Sequence, residues 1–61
     1  MENTGKIKVL QDKIVKWTET QSWLLDLYIA ERIGKGEFKG RYDGLQEDID
    51  EFKREIYELV N

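Results

Sequence analysis

The sequence predicts an all-α fold, an antiparallel hairpin of two long amphipathic helices that dimerises into a four-helix bundle, and three observations carry that expectation. Apolar side chains recur at alternating spacings of three and four residues along both halves of the 61-residue chain. Proline is absent, and four of the five glycines, Gly34, Gly36, Gly40 and Gly44, fall in one central stretch. The first half also carries more apolar surface than one neighbouring helix covers.

In helix one the stripe is Ile7, Leu10, Ile14, Trp17, Gln21, Leu24 and Tyr28, a coiled-coil pattern with one polar member. The helix is expected over about residues 5–33, after an Asn3 or Thr4 cap. Arg32 suits the negative end of its dipole and Gly34 the left-handed position that follows. Its weakest segment is Thr18 to Ser22, rich in hydroxyl and β-branched residues. A break there gives three helices that wrap the Trp23 region within the monomer. The phase runs unshifted from Trp17 to Leu24, which favours one continuous helix.

The connector is expected at residues 34–42 and helix two at about 43–60, where Tyr42, Leu45, Ile49, Phe52, Ile56 and Leu59 repeat the spacing without exception. Asp43 with Gln46 three residues on forms a capping-box-like pair at its start. Phe38 and Tyr42 also keep the apolar phase, which allows a longer helix. The short connector imposes antiparallel packing within a single domain, residues 1–61. The expected core is Leu10, Ile14, Trp17, Leu24 and Tyr28 against Leu45, Ile49, Phe52, Ile56 and Leu59. Gln21, the lone polar member, either sets register, as buried amides do in coiled coils, or occupies a partly exposed layer. A first helix of roughly 42 Å against a second of roughly 30 Å leaves Ile7 and Leu10 overhanging.

Helix one has a second apolar set at Val9, Trp23, Leu27 and Ala30, read at 100° per residue as lying opposite the first stripe, with Leu25, Ile29 and Ile33 between. These four are the expected interface, most simply between two copies related by a two-fold axis; a different protein could occupy the same face. Trp17 belongs to the core and Trp23 to the partner contact, where tryptophan is a frequent anchor. Helix two is polar and acidic outside its stripe, with seven acidic and three basic residues over 41–61. Such a face is usually solvated. The sharper alternative is an acidic decoy that binds a nucleic-acid-binding protein through helix two.

Composition narrows the function classes. The chain has no cysteine and no histidine, which leaves no disulfide, thiolate, imidazole or usual zinc chemistry. A net charge of -3 disfavours direct nucleic-acid binding. The longest apolar run, Leu27 to Ala30, is far short of the roughly 20 residues a membrane span needs. No apolar signal segment follows Met1, so a cytoplasmic location is expected.

Three motifs carry little. Gly34-Lys35-Gly36-Glu37-Phe38 looks like a glycine-rich phosphate loop, but the third glycine is displaced to Gly40 and no catalytic segments follow. Asp48 and Asp50 point about 200° apart on a helix and match no calcium loop. Gly40 and Gly44 lie outside any apolar segment in which their spacing would have weight. No catalytic residue, cofactor or metal is expected. The reading from sequence is a non-enzymatic, self-associating interaction or regulatory module acting through helix one.

Overall fold

The computed structural model describes residues 2–60, which form two α-helices packed side by side, α1 over Glu2–Ile29 and α2 over Lys35–Val60. The hairpin is all-α and elongated, 46 × 14 × 9 Å. Among the described residues there is no strand. α1 runs unbroken through Thr18 to Ser22, where the Thr20 hydroxyl donates to the Lys16 carbonyl at 3.0 Å. That back-bond satisfies the hydroxyl inside the helix and removes its competition with the backbone.

The two heptad stripes face each other. Leu10, Leu24 and Ile49 are at most 9% exposed, and Ile7, Ile14, Trp17, Tyr28, Tyr42, Leu45, Phe52, Ile56 and Leu59 are half-buried. Gln21, 7% exposed, sits in this line and donates from Nε2 to Gln46 Oε1 at 3.0 Å, while Gln46 Nε2 donates to Asp50 Oδ1 at 2.9 Å. An amide placed among apolar neighbours finds its partner in one alignment of the helices, so the pair favours this register over a slipped one.

The helix ends differ from the sequence expectation. α1 stops at Ile29 rather than near Ile33, and the left-handed residue is Glu31, with φ 59°, rather than Gly34. The Glu31 N–H bonds the Tyr28 carbonyl at 3.0 Å and the Arg32 N–H bonds the Leu27 carbonyl at 2.8 Å. These are the two bonds of a Schellman termination, and they hold a glutamate where glycine is the usual choice. Asn3 and Thr4 lie inside the first turn instead of capping it; the Asn3 side chain donates to the Leu59 carbonyl at 3.1 Å, an otherwise orphaned acceptor at the far end of α2.

α2 begins eight residues before Asp43, with the Gly34 carbonyl accepting from the Phe38 N–H at 2.9 Å, so the connector is 30–34 rather than 34–42. Aromatic packing is the physical reason. Phe38 stacks on Tyr28 with centroids 4.8 Å apart, and Tyr42 lies 5.3 Å from Phe38. Offset ring pairs of this kind, worth about 0.5–1.5 kcal/mol each beyond burial, offset much of the helix penalty of Gly36, Gly40 and Gly44. With α2 at 26 residues against 28 for α1, the expected overhang disappears: Leu10 is buried and Ile7 half-buried under α2.

Two consequences are measurable by chemical denaturation at one fixed protein concentration. Leu24→Ala and Ile49→Ala are each expected to lower stability by about 2–5 kcal/mol, whereas Glu55→Ala stays within about 0.5 kcal/mol. Equal losses would mean that the seam is misassigned. Glu31→Gly relieves a left-handed side chain and is expected to raise stability by about 0.5–1 kcal/mol, with Glu31→Val lowering it.

Candidate protein interface

A two-helix seam leaves side chains beside it as well as in it. Along the seam Trp17 meets Phe52 edge to face, with centroids 5.3 Å apart and an interplanar angle of 88°, and its Nε1–H donates to Asp48 Oδ2 at 2.9 Å. The Lys13 ammonium lies 5.6 Å from the centre of the Phe52 ring, within cation–π range. Trp17 is therefore held by α2 on both its apolar and its polar sides.

Trp23 has a different environment. It is 56% exposed and borders an open groove between the helices with Thr20, Leu24, Gly40, Gly44 and Leu45. Being one residue from buried Leu24, it is 100° around the helix from the seam, which puts it beside the seam instead of opposite it. Leu27, one turn further on, is half-buried. Val9 is 53% exposed and borders a second groove with Lys6, Leu10, Glu55, Glu58 and Leu59. Ala30 is exposed but belongs to the turn after α1.

The four expected contact residues thus do not form one patch. Trp23 and Leu27 are adjacent, while Val9 lies about 21 Å away along α1, with Lys16 and Thr20 between them. Val15, Tyr57 and Val60 are exposed as well; each directly follows a stripe residue, Ile14, Ile56 or Leu59, and none belongs to the second apolar set expected from sequence.

The α1 face from Val9 to Trp23 is open and carries Lys16 near its centre. The ion pairs seen among the described residues all lie within one helix: Lys8 with Asp12, Lys39 with Asp43, Arg41 with Glu37, and Arg54 with Glu51. Exposed pairs of this kind add little stability. No cluster of three acidic side chains that could hold a metal ion occurs among the described residues, and no helix among them is long and apolar enough to cross a membrane.

The chain matches no protein-family model, no curated protein and no solved structure. The local chemistry therefore carries the functional argument by itself. Gly40 and Gly44 are helical without positive φ, and a Cβ on either would meet nothing within 4 Å. For the dissociated hairpin, at a concentration too low for association, Gly40→Ala and Gly44→Ala are accordingly expected to raise helical stability by about 0.5–1 kcal/mol each in thermal unfolding followed by circular dichroism. A gain that turns into a loss at concentrations where copies associate would show that something outside the hairpin occupies that notch.

Proposed function

We propose that this chain is a non-enzymatic protein–protein interaction module, a small regulatory unit in the cytoplasm that works as a homodimer through the α1 face bearing Trp23 and Leu27, with Val9 at its far end. The observation that carries this reading is Trp23, a large aromatic side chain more than half exposed beside an open groove that its own hairpin leaves unfilled. Exposed tryptophans of this kind supply a large share of interface energy once a partner closes over them. The surface area agrees. The chain exposes 4907 Å² at 7.3 kDa. A compact monomer of that mass exposes about 4,200 Å², and the excess of about 700 Å² approaches the roughly 800 Å² that each partner contributes to a standard interface.

Light scattering at micromolar concentration tests this directly: the expected mass is twice 7.3 kDa, and a concentration-independent monomer refutes it. Trp23→Glu puts a charge into the contact without touching the seam. It is expected to keep the helical spectrum and to weaken association by about 30-fold or more, the equivalent of a 2 kcal/mol anchor.

A further inference from the structure

Resting on the proposed self-association through α1, we infer that the two hairpins pair with their turns at the same end, so that α1 of each copy lies antiparallel on α2 of the other. The alternative places the turns at opposite ends, with α1 on α1 and α2 on α2.

Charge decides between them. The first 17 residues hold four lysines, Lys6, Lys8, Lys13 and Lys16, against Glu2 and Asp12. The facing half of α2 holds Asp48, Asp50, Glu51, Glu55 and Glu58 against Lys53 and Arg54. Five of these charges line grooves of the hairpin: Lys6 beside Glu55 and Glu58 in one, Lys16 beside Thr20 and Trp23 in the next, and Asp48 beside Trp23 in the third. On α1 the side runs Val9, Lys13, Lys16, Thr20, Trp23, Leu27, and on α2 Arg41, Gly44, Asp48, Glu51, Glu55, Glu58, both with alternating spacings of three and four. Each is a second seam of coiled-coil period, next to the one already filled.

With turns together, both copies keep the same height along the bundle. Whatever stands beside a residue within one hairpin then stands across from it in the dimer. Gln21 bonded to Gln46 and Tyr28 stacked on Phe38 fix that height. The basic half of α1 meets the acidic half of the partner's α2, Lys13 and Lys16 against Glu51 and Glu55, and Trp23 meets the notch at the partner's Gly44, where neither backbone nor packing within the hairpin calls for glycine. With turns opposed, Lys13 and Lys16, near the middle of α1, meet their own copies, and Asp48 and Glu51 do the same on α2. Like charges set against each other select against that pairing.

The chain lacks cysteine, so Lys35→Cys gives a single nitroxide site at the exposed start of α2. Pulsed electron paramagnetic resonance on the dimer is expected to give about 20 Å, a bundle diagonal plus the label linkers. A distance of about 40 Å, the length of α2, overturns the shared-end pairing and leaves self-association standing. A monomeric mass overturns both. As an independent arm, Lys13→Glu with Lys16→Glu is expected to weaken the dimer at least tenfold at low salt, and adding Glu51→Lys with Glu55→Lys to restore it; a double variant that dimerises like the parent overturns the inference.

Discussion

Two helices lying side by side bury one line of side chains each, and the rest of this structure depends on that constraint. A third or fourth helix would enclose Leu10, Leu24 and Ile49 from several directions; here no side chain among the described residues is completely enclosed. The seam must therefore be continuous from end to end to stabilise the chain at all. The fold achieves this through register: Asn3 on the Leu59 carbonyl at one end, Gln21 on Gln46 in the middle, and Tyr28 on Phe38 at the turn. Each contact joins α1 to α2, and together they span nearly the full length of the hairpin.

The turn shows how local and non-local preferences are reconciled. Stopping α1 at Ile29 puts a glutamate in the left-handed region, a conformation that costs an L-residue roughly 1–2 kcal/mol. Two Schellman bonds and the aromatic stack favour the earlier stop, and three glycines are drawn into α2 as a result.

The hairpin and its facing stripes were legible in the sequence because burial on one side of a helix imposes a period that no other constraint disturbs. The ends were not. Glycine reads as a breaker, so Gly34 attracted the cap that Glu31 supplies, and Gly36 to Gly44 read as connector although tertiary contact between rings holds them helical. The expected overhang of Ile7 and Leu10 followed from that single misplacement. At the candidate interface, Trp23 was legible as a residue the seam does not use, because it breaks the phase of its neighbours. Its position beside the seam follows from helix geometry, one residue or 100° from Leu24, but its nearness to Gly40 and Gly44 was not legible, since that depends on how α2 lies across α1.

Stability and association are coupled in a chain built this way. A domain of this length has a folding free energy of about 3–9 kcal/mol at the usual 0.05–0.15 kcal/mol per residue, and helical glycines together with a left-handed glutamate lie on the unfavourable side of that balance. Any partner that binds the folded hairpin and not the unfolded chain adds to it by mass action. On the proposed reading, the second copy does so through a face whose centre is charged and whose ends are apolar. That arrangement separates the two tasks of an interface. The tryptophan and leucine supply affinity where water is excluded, whereas the lysines and carboxylates, screened by salt and weak as pairs, select which way round the copies meet. A wholly apolar face would bind as tightly in either orientation, and it would also bind many other surfaces.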